Sequence, residues 1–162
     1  MTDEADVKRQ FLRHTLATLA YRGGKALSGT DEAFGSCALG GGTRTPVRIL
    51  AHVSDLLDWT LSLCRGQEAW HDSIPESWEK EVLRLFDRLR DVDELLASPT
   101  VLAASPERLF QGPVADALTH IGQIALLRRR AGIPVRGENY FRADIAAGRV
   151  GPQQAAAVRE FD

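Results

Sequence analysis

The chain is poor in cysteine, nearly balanced in charge, and has no apolar run approaching the ~20 residues that cross a bilayer. Its two cysteines, Cys37 and Cys64, are too few for a disulfide scaffold and do not form a C-x-x-C pair. A reducing, cytoplasmic setting is therefore the default expectation. Only the even count leaves a Cys37–Cys64 bridge open. A net charge of -2 gives no reason to expect a polyanion partner. The best local basic patch, Arg128, Arg129 and Arg130, closes a helical stretch, where cations complement the helix dipole. Neither nucleic acid nor membrane is an expected partner. The opening MTDEADVKRQ has no basic region feeding an apolar run, so no secretory signal is expected. Strand patterns, internal repeats and linkers are missing too, which leaves one domain over residues 1–162.

What the chain does have is helical periodicity. A first helix is expected over residues 3–27, with Thr2 as cap, acids in the first turn, and Val7, Phe11 and Leu19 near one apolar stripe widened by Leu12, Leu16 and Ala20. Gly23 and Gly24 weaken its far end. The second opens on Thr45 and Pro46 and stops at Gly66. In the third, from about residue 75, Trp78, Val82, Leu85, Leu89, Val92 and Leu96 are spaced four, three, four, three, four. Heptad spacing marks a helix packed lengthwise against others. After the breaks SPT and SPERLFQGP, Pro113 opens the fourth, which ends at Gly132. The economical solution is an all-α four-helix bundle, with a short accessory helix in PQQAAAVREF after Pro152.

Between the first two helices lies SGTDEAFGSCALGGGTRT, eighteen mostly small and polar residues. So long a loop in a compact domain often has a functional role. Its GGGT lacks the lysine, and the flanking strand and helix, of a phosphate loop.

The unusual side chains are two histidines and an aspartate on apolar helices. At ~100° per residue, His52 lies near Leu56, Trp59 and Leu63, with Arg48, Asp55, Asp58 and Arg65 on the other side. Asp116, His120 and Gln123 share one stripe of the fourth helix. A buried carboxylate needs a cation or hydrogen bonds, and a divalent ion between Asp116, His120 and His52 would supply one. Imidazole and carboxylate donors suit zinc, nickel or iron, and three ligands leave positions open. Gln123 would orient a bound water or ligand. Taken singly, each histidine also fits a half-buried hydrogen-bonding residue, and Asp116 fits the first turn of its own helix.

The stretches LAHVSDLLDW and DALTHIGQIALLRRRAG resemble the DinB-like superfamily of metal-binding four-helix bundles, which includes bacillithiol- and mycothiol-dependent enzymes. Members typically carry three histidines, one on the second helix in a setting like that of His52, and two on the last bundle helix. His120, followed by Ile121, Gly122 and Gln123, matches the second of that pair, and Asp116 stands where the first is usual. The resemblance implies a divalent-metal site at His52, Asp116 and His120. It also implies transfer of a low-molecular-weight thiol or hydrolysis of a small molecule. The alternatives are a non-catalytic metal- or ligand-binding bundle, and a member with a vestigial site.

Cys37 and Cys64 have no evident electropositive setting and are poor nucleophile candidates. A pocket lined by the SCALGGGTRT loop and the Asn139–Tyr140–Phe141 tail would favour catalysis or ligand binding, whereas a closed ion would favour structure. His14 is placed where it can face the cluster, His71 belongs to the surface, and Trp59, Trp78, Phe86 and Phe110 read as core. The third helix's stripe, broadened by Leu83 and Phe86, leaves room for a homodimer.

Overall fold

The computed structural model describes residues 4–162, so the expected cap Thr2 lies outside the described residues. The chain is mostly helical. Four long helices, α1 (Glu4–Leu27), α3 (Pro46–Cys64), α4 (Trp78–Ala97) and α6 (Ala115–Arg130), alternate with short α2 (Glu32–Gly35) and α5 (Pro106–Leu109). α1 and α3 each pack against both α4 and α6. Leu16, Leu57, Leu89 and Ile124, one from each long helix, meet in the shared core. No described helix is long and apolar enough to cross a membrane.

The heptad stripe of α4 is buried except at Val82, which is half-buried. Its N-terminus is anchored by the loop that precedes α3. Ser77 caps it by accepting from the Lys80 N–H, Glu32 of α2 accepts from the Trp78 N–H at 2.7 Å, and the Trp78 indole donates to Thr30 at 3.0 Å. Gly35 lies so close to Trp78 that a methyl group there would come within 2.8 Å of its Cβ.

On α1 the expected stripe fails at Val7 and Phe11. Leu12, Leu16 and Leu19 are buried, but Val7 and Phe11 are 56% and 67% exposed. The helical repeat explains this, because the mean direction of residues 7 and 11 lies about 130° around the axis from that of 12, 16 and 19. They line a shallow groove with Phe110, which is also exposed rather than core. Leu16→Ala is accordingly expected to cost about 2–5 kcal/mol. Phe11→Ala should stay within about 0.5 kcal/mol. Urea unfolding of both variants checks the assignment, and equal losses would refute it.

Arg128 stands in the last turn of α6 as expected, but it does more than complement the dipole. It is buried, and it donates to the Ala26 and Ser28 carbonyls at 3.0 and 2.7 Å, closing the end of α1, and to the Ile133 carbonyl at 2.9 Å. The accessory helix after Pro152 does not form. A piece that short has little intrinsic helicity, and its alanines carry no apolar stripe to bury. The tail instead runs on so that β2 (Glu160–Phe161) pairs antiparallel with β1 (Gly137–Glu138). Lys25 fastens this ribbon through Glu138 at 2.7 Å and Glu160 at 3.0 Å.

Candidate metal centre

His52 sits in the first half of α3, and Asp116 and His120 are one turn apart on α6, so the α3–α6 contact decides whether they meet. The chain reaches α6 through a kinked segment, residues 110–114, in which Gly112 leaves the helical region with φ -92° and ψ -106°. Pro113 follows the kink, as proline does at a helix start. Asp116 thereby falls in the first turn of α6, where the helix dipole favours a carboxylate.

The three groups do converge. One donor atom from each lies within 4.8 Å of the others. An Asp116 oxygen stands 3.5 Å from His120 Nε2 and the other oxygen 3.8 Å from His52 Nε2. These spacings are too long for good hydrogen bonds. They match donors that share one ion, which stand about 3–4 Å apart when each is ~2.0–2.2 Å from the metal. The imidazoles meet edge to face with centroids 4.7 Å apart. The group His52, Asp116 and His120 can hold a metal ion.

Gln123 stands beside the donors and lines an open cavity over them, and its Oε1 lies 2.8 Å from His120 Nδ1. Accepting the proton of Nδ1 there leaves Nε2, the nitrogen that faces Asp116, with a free lone pair. Burial pushes the His52 pKa below its ordinary value, and the charges of His120 and Arg44 push the same way. His52 is thus neutral, and able to ligate, at pH 7.

The centre is open on one side. The histidine side chains are 19% and 15% exposed, whereas Asp116 is 49% exposed. A cavity of about 580 Å³ runs over both rings, walled by Ile49, Leu126 and Leu127 and by Thr43 and Arg44 from the long loop. That loop contributes as expected. The Asn139–Phe141 tail does not, since Tyr140 packs on Tyr21 at 6.2 Å and under the Arg22 guanidinium at 4.4 Å.

Family models, curated proteins and solved structures all yield no match to this chain.

The remaining candidates sort themselves by burial. His14 and His71 are exposed. Cys37 and Cys64 are both free, and burial pushes the Cys64 thiol up to about 11, which leaves it inert. Trp78 is core, but Trp59 is half-buried and meets the exposed Trp70 at 5.9 Å. Trp70 in turn presents itself to the His52 ring at 5.5 Å. Trp70 and Arg44 are the site residues that sequence periodicity missed, because both lie in segments without a repeating pattern.

The charged face assigned to α3 also needs correcting at Asp55, which is 1% exposed. Its carboxylate accepts from the Ser73 N–H at 2.9 Å, the Ser73 hydroxyl at 2.7 Å and Arg84 of α4 at 2.5 Å. A helix wheel shows one helix only, and the arginine that makes this burial tolerable is on another.

Proposed function

We propose that the chain is a bundle of DinB-like type. Its His52, Asp116 and His120 hold a divalent zinc, nickel or iron ion for thiol transfer to, or hydrolysis of, a small molecule. The observation that carries this proposal is the trio of donors facing one another, unbonded, beneath a solvent-open cavity. Such an ion supplies Lewis acidity and lowers the pKa of a bound water or thiol. The protein's own residues do the rest. Gln123 fixes the His120 ring, Ile49 and Leu127 exclude water from one wall, and Thr43 and Arg44 close the other. The partner is a small molecule, including a low-molecular-weight thiol, rather than a nucleic acid or a membrane.

A second reading has one observation in its favour. Beyond the three donors, the lining of the large cavity offers no thiol and no carboxylic acid. A metal- or ligand-binding bundle without catalysis fits that lining as well.

The test begins with untagged protein stripped by chelator and titrated with zinc at pH 7.5, where one equivalent is expected to bind saturably. Affinity should hold through neutral pH and fall in acid. The sign follows from competition, because protons and metal seek the same imidazole nitrogens, and the lowered His52 pKa moves that loss to more acidic pH. Absence of saturable binding would defeat the metal assignment. With metal bound, zinc-dependent consumption of a thiol and an electrophile supports catalysis, whereas an inert but metal-loaded protein supports the second reading.

A further inference from the structure

The cavity over the two imidazoles meets a second, smaller one of about 260 Å³, and His52 and Arg44 border both. Arg48, one turn beyond Arg44, lines the smaller one. Neither arginine makes an ion pair or a hydrogen bond with another described residue, although Arg13, Arg84, Arg88, Arg90, Arg136 and Arg149 all have carboxylate partners. The two stand at the start of α3, whose first turn contains no acidic side chain and whose Thr45 makes no capping bond. Positive charge from the helix dipole and from both guanidinium groups is thus concentrated beside the donor trio.

The nearby carboxylates do not cancel it. Asp55 is saturated by Ser73 and Arg84, Asp116 belongs to the donor set, and only the exposed Asp72 remains on the smaller cavity's rim. A divalent ion held by one carboxylate and two neutral rings would add a further positive charge. The larger cavity's other wall is apolar, made by Ile49, Leu126 and Leu127.

We propose that this pair of cavities binds a small carboxylic acid, with Arg44 taking the carboxylate, Arg48 supporting it, and Ile49, Leu126 and Leu127 holding an apolar body against the imidazoles. The proposal rests on the function assigned above, since it names the substrate class of the same site. A guanidinium fork matches a carboxylate in two parallel hydrogen bonds. An anion in an electropositive cleft is favoured over its uncharged isostere.

Calorimetric titration of hexanoate and hexanamide into metal-free and zinc-loaded protein tests it. Hexanoate is expected to bind saturably, and roughly tenfold or more tightly than hexanamide, the scale of a charge-assisted hydrogen bond. Arg44→Gln should bring hexanoate down to the level of hexanamide, while Leu126→Asn should weaken both probes. Arg44 and Leu126 are both exposed, so circular dichroism of these variants should match the wild type. Equal binding of the two probes, no binding of either, or no effect of Arg44→Gln would overturn the inference even if zinc binds. Hexanoate binding that depends on Arg44 in a protein that refuses zinc would uphold the inference and remove the metal assignment.

Discussion

Untagged protein carrying His120→Ala is expected to lose essentially all of its bound divalent metal, with affinity falling by more than the roughly 10–100-fold typical of an outer-shell change. The donor trio has no spare member, so removal of one imidazole leaves a carboxylate and a single ring. His52→Ala should do the same. Gln123→Leu removes only the partner of His120 Nδ1 and should cost roughly 10–100-fold. Asp116→His is the informative replacement. It creates an all-imidazole set at a half-exposed position, where folding has little at stake, so metal should be retained. Elemental analysis together with cobalt(II) absorption reads all four variants. If His120→Ala and the wild type bind the ion alike, the three side chains are not its ligands.

A large loss of stability is also expected away from the donors, at Asp55. Breaking a buried, hydrogen-bonded ion pair by removing one partner typically costs about 3–5 kcal/mol, because the other charge is left uncompensated. In Asp55→Ala, Arg84 is 25% exposed and keeps Asp58 at 2.8 Å, so about 2–4 kcal/mol is the better expectation. Asp55→Asn keeps an acceptor for Ser73 and should lose less. Urea unfolding with an unchanged slope checks both variants, and a loss below about 0.5 kcal/mol for alanine would contradict the geometry. Because Asp55 also holds the Ser73 backbone, the same change should loosen the segment that brings Trp70 to His52.

What the sequence made legible follows from where each signal is stored. The α4 stripe, the Pro46 start of α3 and the stripe of Asp116, His120 and Gln123 are local patterns, and each is found in the structure. The convergence of His52 with that stripe depends on how two helices pack. It is legible because a carboxylate on an apolar helix calls for a partner. Asp55 raises the same question, yet nothing in the α3 sequence points to Arg84 some 29 positions away. Arg44 is legible only as part of the long SCALGGGTRT loop, and Trp70 carries no signal, because loop residues repeat with no period. The missing C-terminal helix shows the opposite error. There the alanines favour a helix, but the piece is too short to hold one by itself, and the competing attraction, Lys25 holding both strands of a ribbon, lies more than a hundred positions upstream.

The uneven shielding of the donors has a bearing on which ion they would carry. Two imidazoles sheltered by protein and a carboxylate turned half towards water make a centre with one unguarded side. Dissolved chelators and competing ions reach it without unfolding anything, so exchange would be quick. Donors of this type rank the first-row metals in much the same order wherever they occur. Occupancy would then be dictated by what the surroundings supply, and two preparations of one polypeptide grown in different media would carry different metals.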